Sequence, residues 1–156
     1  DERGVYDAVA SIEMVEAVGE RWWPTYFRRV HDALRTGGRA CVQSITIAEE
    51  RFDRYRTQSD FIQQHIFPGG MLPSPSALVG HARAAGLEFV GVRTFGRDYA
   101  ETLKRWLAAF DAAETSVRAL GFDNRFIRYW RFYLAYCAAG FDTETTDVGQ
   151  YTFIRR

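Results

Sequence analysis

The sequence predicts an α/β domain built on a largely parallel sheet. Short, nearly continuous apolar runs at 5–12, 39–47 and 87–96 have strand length, and a run rich in aromatic and β-branched residues closes the chain at 149–156. Segments with apolar residues at helical spacing separate these runs. Apolar strands alternating with helices imply a parallel sheet covered on both faces. At 156 residues the chain has the length of about one domain.

VYDAVASI (5–12) is the first strand. WWPTYFRRVHDALRTGG follows as a helix from Pro24, with Trp23, Phe27, Val30 and Leu34 at helical spacing and Gly37-Gly38 as its stop. RACVQSITI (39–47) is the second strand. EERFDRYRTQSDFIQQHI is polar at first, then amphipathic, and is helical in part. Ser74-Pro75 reads as an N-cap with proline at the first helical position, opening a helix that Gly86 ends. LEFVGVRTFG (87–96) is the third strand. Residues 98–119 and 124–139 are two helices, the second with Phe126, Trp130, Tyr133 and Cys137 on one face. GQYTFIRR (149–156) is the last strand, placed to pair antiparallel with the third.

Composition narrows the function. Apolar residues make up 47% and aromatic ones 15%, enough for a packed core. Twenty basic residues balance 20 acidic ones, which argues against a nucleic-acid partner but leaves room for a local basic patch at a membrane. Arg28, Arg29 and Arg35 are candidates for such peripheral contact. Cys41 and Cys137 lie far apart without a CxxC, which excludes a zinc or disulfide framework and fits a reducing cytoplasm. No metal-ligand spacing, phosphate loop or nucleophile elbow occurs. No apolar run has the roughly 18 residues of a spanning helix. The first residues carry no signal-peptide pattern, and Asp1 in place of an initiator methionine points to a start within a longer protein.

DFIQQHIFPGGMLPS (60–74) is the most distinctive stretch. An apolar, aromatic segment runs into Pro-Gly-Gly, where Gly69 and Gly70 permit a tight reversal. Met71 and Leu72 then offer soft, adaptable contacts. The residues alone leave open an ordinary loop packed on its own core. Glu13 and Glu16, three apart beyond the first strand, read by spacing as the exposed face of a helical turn. Tyr99 reads equally as a core tyrosine or a site phenol.

Six phrases in order resemble the cyclopropane-fatty-acid synthase family, which includes the mycolic acid cyclopropane synthases. They are YDAVASIEMVEAVG, YFRRVHDALRTGG, QSITI, DFIQQHIFPGGMLPS, FGRDYAETLKRW and RFYLAYCAAGF, and they cover nearly the whole chain. The resemblance implies the class I S-adenosylmethionine-dependent methyltransferase fold, Rossmann-like, with residues 1–156 as its C-terminal half: strands four to seven, the last antiparallel. The family's Gly-rich cofactor loop precedes the first of these strands, and no GxGxG occurs here. The cofactor-binding half is thus expected to be missing and the isolated chain to bind S-adenosylmethionine poorly.

The implied reaction is methyl transfer from S-adenosylmethionine to the double bond of an unsaturated phospholipid acyl chain. Proton loss to a bound bicarbonate then closes a cyclopropane ring. Methyl branching, a small-molecule acceptor and a non-catalytic truncated fragment stay open, as does homo-oligomerisation. By the resemblance, Glu16, Gln43, Ile45 and Tyr99 hold the bicarbonate, and Ser11 and Ile12 lie near the cofactor. Phe67, Gly69, Gly70, Met71 and Leu72 form part of the acyl-chain channel. Gln43 departs from the histidine many members carry; an amide can donate a hydrogen bond but cannot take up a proton at neutral pH. Cys137 matches a family cysteine, and by the resemblance it joins Glu16, Gln43 and Tyr99 as a candidate catalytic residue. Its apolar helix face favours packing over reactivity.

Overall fold

The computed structural model describes residues 4–156. Its elements are β1 (Tyr6–Ile12), α1 (Trp23–Asp32), β2 (Leu34–Ile47), α2 (Glu49–Thr57), α3 (Phe61–His65), α4 (Pro75–Ala84), β3 (Leu87–Thr94), α5 (Gly96–Ala112), α6 (Glu114–Ala119), α7 (Asn124–Asp142) and β4 (Thr146–Arg155), with a 3-10 turn at Glu20–Trp22. Two compact units result: residues 4–94 with 148–156, and residues 95–147.

The first unit carries a four-stranded sheet in the order β1-β2-β4-β3. β1 and β2 are parallel; β3 and β4 are antiparallel. This is the α/β architecture expected for strands four to seven of the class I methyltransferase fold. The strands are not all covered on both faces, however. β1 stands at one end of the sheet with Tyr6 and Ile12 exposed, and β3 at the other exposes Val90 and Val92. An end strand has one neighbour, so its outer rim and part of each face meet solvent.

α1 ends sooner than its apolar spacing predicts. It stops at Asp32, and β2 begins at Leu34. Leu34 is fully buried in either reading, so its periodicity is uninformative. Pairing decides: Tyr6 lies opposite Leu34, and its amide donates to the Ala33 carbonyl at 2.8 Å. The register then jumps, with Ala8 opposite Arg39. Gly37-Gly38 absorb the extra residues inside the strand. Gly37 has φ 79°, and a Cβ on Gly38 would fall 2.8 Å from the Arg35 carbonyl oxygen.

The core of this unit follows from the α1 pattern. Trp23, Phe27 and Val30 bury one stripe against Leu34, Val42, Leu78, Leu87 and Phe153. Full burial of a side chain the size of Phe27 contributes roughly 1.5–3 kcal/mol. α4 starts as predicted: the Ser74 hydroxyl accepts from the Ala77 amide at 3.3 Å, with Pro75 next and Gly86 at φ 92° after its end.

The second unit is helical. α5 and α7 pack on each other and bury Leu103, Ile127, Leu134, Ala138 and Phe141. The single helix predicted over 98–119 is two, broken at Ala113. Arg131 of α7 bridges the break, pairing with Asp111 and Glu114 at 2.6 Å each.

Candidate active site

The C-terminal ends of β1 and β2 carry the polar cluster. This is the end of an open α/β sheet where ligands collect. Glu13 follows β1 with φ 51°, an uncommon conformation for a residue with a side chain. Its amide continues the ladder, donating to the Gln43 carbonyl at 2.8 Å. The next residues turn back, pinned from beneath by Trp23. This indole is 1% exposed and donates to the Val15 carbonyl at 3.0 Å.

That turn presents Glu16. Its Oε1 accepts from the Ile45 amide at 2.6 Å. Its Oε2 is buried and makes no hydrogen bond among the described residues. Burial pushes the Glu16 carboxyl above the ordinary glutamate value, and the nearby Glu13 charge adds to the rise. The backbone amides of Glu16 and Ile45 and the Ser44 hydroxyl oppose it.

Gln43 is 9% exposed and bonded at both ends of its amide. Its Nε2 donates to Glu13 Oε1 at 3.0 Å, and its Oε1 accepts from Gln150 Nε2 at 3.0 Å. Gln150 therefore fixes which way the Gln43 amide faces. Below them, the Tyr26 hydroxyl donates to Ser11 Oγ at 2.6 Å, and burial pushes the phenol up to about 12. Ile12, at the tip of β1, is 68% exposed.

The Pro-Gly-Gly hook packs on the same turn. The Met71 amide donates to the Glu16 carbonyl at 2.9 Å, and Gln63 Nε2 donates to the Gly70 carbonyl at 3.2 Å. Gly69 has φ 83°, and a Cβ on Gly70 would crowd the Phe67 carbonyl at 3.0 Å. Met71 is buried in the core, whereas Phe67 is 57% exposed. Ile45 and Leu72 are half-buried.

Residues 1–151 match the mycolic acid cyclopropane synthetase family. The chain belongs to this family. The cyclopropane synthetases and their relatives are S-adenosylmethionine-dependent methyltransferases that modify lipids. Among the relatives, the tuberculostearic acid methyltransferase UfaA1 of Mycobacterium tuberculosis is 42% identical over 99% of this chain and 36% of its own length. The cyclopropane-fatty-acyl-phospholipid synthase of Escherichia coli K12 is 32% identical over 96% of this chain and 38% of its own. The crystal structure of the mycolic acid cyclopropane synthase CmaA1 complexed with SAH and CTAB superposes with a TM-score of 0.88 at 28% identity, covering 99% of this chain and 57% of that one. The chain thus spans between about a third and somewhat over half of the length of these relatives.

Against the expectations for a cyclopropane synthetase, the first unit gathers Glu16, Gln43, Ile45, Ser11, Ile12 and the 67–72 hook around one sheet end. Tyr99 and Cys137 belong to the helical unit. Tyr99 is half-buried between Phe95 and Phe141, with ring centroids 5.7 and 5.4 Å away. Cys137 is half-buried on α7 and, like Cys41, in no disulfide. Among the described residues no group of acidic, histidine and cysteine side chains could hold a metal ion, and no helix is long and apolar enough to cross a membrane.

Sequence reasoning missed Gln150 and the role of Glu13. Gln150 lies 107 positions from its partner. Its only signal was an amide in a strand that also carries Val148, Tyr151, Phe153 and Ile154. Glu13 read as surface, and it is exposed, but its side chain takes the Gln43 amide.

Proposed function

We propose that the protein carrying these residues transfers a methyl group from S-adenosylmethionine to the double bond of an unsaturated phospholipid acyl chain and closes a cyclopropane ring. The observation that carries this reading is Glu16: a carboxylate at the sheet end, desolvated, with one oxygen tied to Ile45 and the other without a donor. Such an acceptor suits a ligand that brings its own O–H. Bicarbonate has one. The residues fit that ion.

S-adenosylmethionine, when bound, supplies an electrophilic methyl group; bicarbonate, held by Glu16 beside Gln43, supplies the base for the proton the methyl must lose. The chain's own residues do the rest. Ile12, bare at the tip of β1, offers an apolar surface beside the cofactor, and Ser11 is held in place by Tyr26. The hook at 67–72 excludes water from the acyl chain, because water would compete for a cationic carbon. Residues 1–156 are the C-terminal part of the methyltransferase domain, and the cofactor's main binding loop lies outside them. The isolated chain therefore binds S-adenosylmethionine weakly, with no micromolar binding in titration calorimetry.

A second reading keeps methyl transfer but ends in a methyl branch. It is favoured by the 42% identity to a tuberculostearic acid methyltransferase and by Gln43, whose amide cannot relay a proton. Nuclear magnetic resonance of lipids from cells expressing the whole protein separates the two: proton loss without ring closure leaves a branched alkene isomeric with the ring, and a saturated branch, two hydrogens heavier, additionally needs a hydride from a separate cellular reductase. A ring product lost in Glu16→Gln supports the proposal. A branched product, unmodified lipids, or activity indifferent to Glu16→Gln overturns it.

A further inference from the structure

One polar side chain per strand forms a row across the sheet, in the order β1-β2-β4-β3. Glu13 stands just past β1, Gln43 on β2, Gln150 on β4, and Arg93 on β3 directly opposite Gln150. Val42, Tyr151 and Phe153 point into the core, so strand alternation turns their neighbours Gln43 and Gln150 to the other face. Opposed residues of an antiparallel pair share a face, which places Arg93 with them.

The row has a direction. An acid stands at one end and a guanidinium at the other, with two amides between. Gln150 Nε2 donates to Gln43 Oε1, and Gln43 Nε2 donates to Glu13 Oε1, each at 3.0 Å. Both amides thus turn their nitrogens toward Glu13. The field between the two end charges favours that orientation, and each bond polarises the next.

Two features suggest that the orientation is what matters. Glu13 takes the Gln43 amide from a φ of 51°, and strain of this kind collects where a side chain has to be aimed. Gln150 is exposed, and exposed strand positions favour β-branched or aromatic residues. A glutamine there is explained by its partner: it holds the Gln43 oxygen away from the two carboxylates. Those carboxylates stand close enough together that the Glu13 charge is felt at Glu16.

We propose that Gln150, backed by Arg93, is a positioning residue of the Glu16 site: it keeps the Gln43 amide nitrogen-first toward Glu13 and Glu16, so that an oxyanion bound at Glu16 meets the positive end of that amide dipole and not its oxygen. This deepens the methyl-transfer reading and rests on it, because the oxyanion is the bicarbonate of that reading.

The whole protein is assayed in two ways: binding of ¹³C-bicarbonate, read by nuclear magnetic resonance line broadening, and methyl transfer to dioleoyl phosphatidylglycerol vesicles at limiting bicarbonate. Gln150→Leu is expected to weaken bicarbonate binding about fivefold and to lower kcat with KM for the lipid unchanged. Its Tm moves by less than about 2 °C. Reversal tests the direction. In the pair Glu13→Gln with Gln150→Glu, position 13 donates, position 150 accepts, and Gln43 turns over with both bonds kept. Glu13→Gln alone removes the same charge, but its amide oxygen still accepts from Gln43, so the direction stays. The reversed pair is expected to bind bicarbonate and turn over at least about tenfold more weakly than Glu13→Gln alone, at equal Tm. Wild-type kcat in Gln150→Leu, a rise in KM with kcat intact, or a reversed pair that matches Glu13→Gln alone overturns the proposal, since the row then only ties strands together. Glu16→Gln separates the two readings. If it abolishes bicarbonate binding while Gln150→Leu and the reversed pair leave binding intact, the positioning role falls alone. If the wild type binds no bicarbonate, or Glu16→Gln binds it equally, both fall.

Discussion

Replacing Glu16 by glutamine should stabilise this protein at neutral pH while removing its proposed activity. Glutamine keeps the oxygen that accepts from the Ile45 amide at 2.6 Å and discards the charge. The other carboxylate oxygen is buried without a donor. A buried polar group lacking its partner costs about 1–3 kcal/mol, and more when ionised. The variant still buries an unpartnered amide nitrogen, so only the charge-dependent share returns, about 1 kcal/mol. For a chain of this length that raises Tm by roughly 2–4 °C. The pH dependence has a definite sign. Burial raises the folded-state value of Glu16 above its ordinary 4.5, so the unfolded chain gives up this proton first as pH rises. The stability from the protonated form is complete below 4.5 and is lost as pH climbs through the raised value. Glutamine cannot ionise, so its advantage is absent in acid, opens above the ordinary value and then levels off. Thermal melts of both proteins across a pH series provide the assay. A gain independent of pH, or a less stable variant at neutral pH, would refute the claim that desolvation dominates at Glu16.

Two further outcomes follow from the packing around this carboxylate. Tyr26, pushed up to about 12 by burial, should titrate late in an ultraviolet titration. The difference between wild type and Tyr26→Phe should titrate near 12, and the stability Tyr26 lends should fade between its ordinary 10.0 and that value; a difference centred at the ordinary value would contradict this. Trp23→Phe leaves the Val15 carbonyl without its 3.0 Å donor. A loss of about 1–3 kcal/mol in denaturant unfolding is expected, and a change under about 0.5 kcal/mol would show that the indole N–H does not pin the turn.

Much of the fold was legible because local rules and tertiary demands agree. Ser74, Pro75 and Gly86 bound α4 as their caps and dihedral preferences require. Where they do not agree, the sequence misled. Leu34 satisfies a helical stripe and a buried strand equally well, and only its pairing with Tyr6 decides between them. The break at Ala113 has no glycine or proline to announce it; it is held from α7 by Arg131. The strands at the ends of the sheet look like buried strands in composition, because apolarity does not reveal how many neighbours a strand has.

The candidate site divides along the same line. Glu16 and the hook at 67–72 were named through phrases that resemble the family, since spacing alone reads Glu16 as an exposed turn and the hook as an ordinary loop. Their mutual placement was not legible, because it rests on bonds from Met71 to Glu16 and from Ile45 to Glu16 across long stretches of chain. Gln150 shows the limit most plainly: an amide 107 residues from Gln43 is unremarkable until strand pairing sets the two side by side. The sequence by itself determined most of the helices and strands and the caps of α4, because these depend on neighbours along the chain. The tertiary structure alone decided that Glu16 is desolvated and that Gln43 is held at both ends, because burial and partnership depend on neighbours in space.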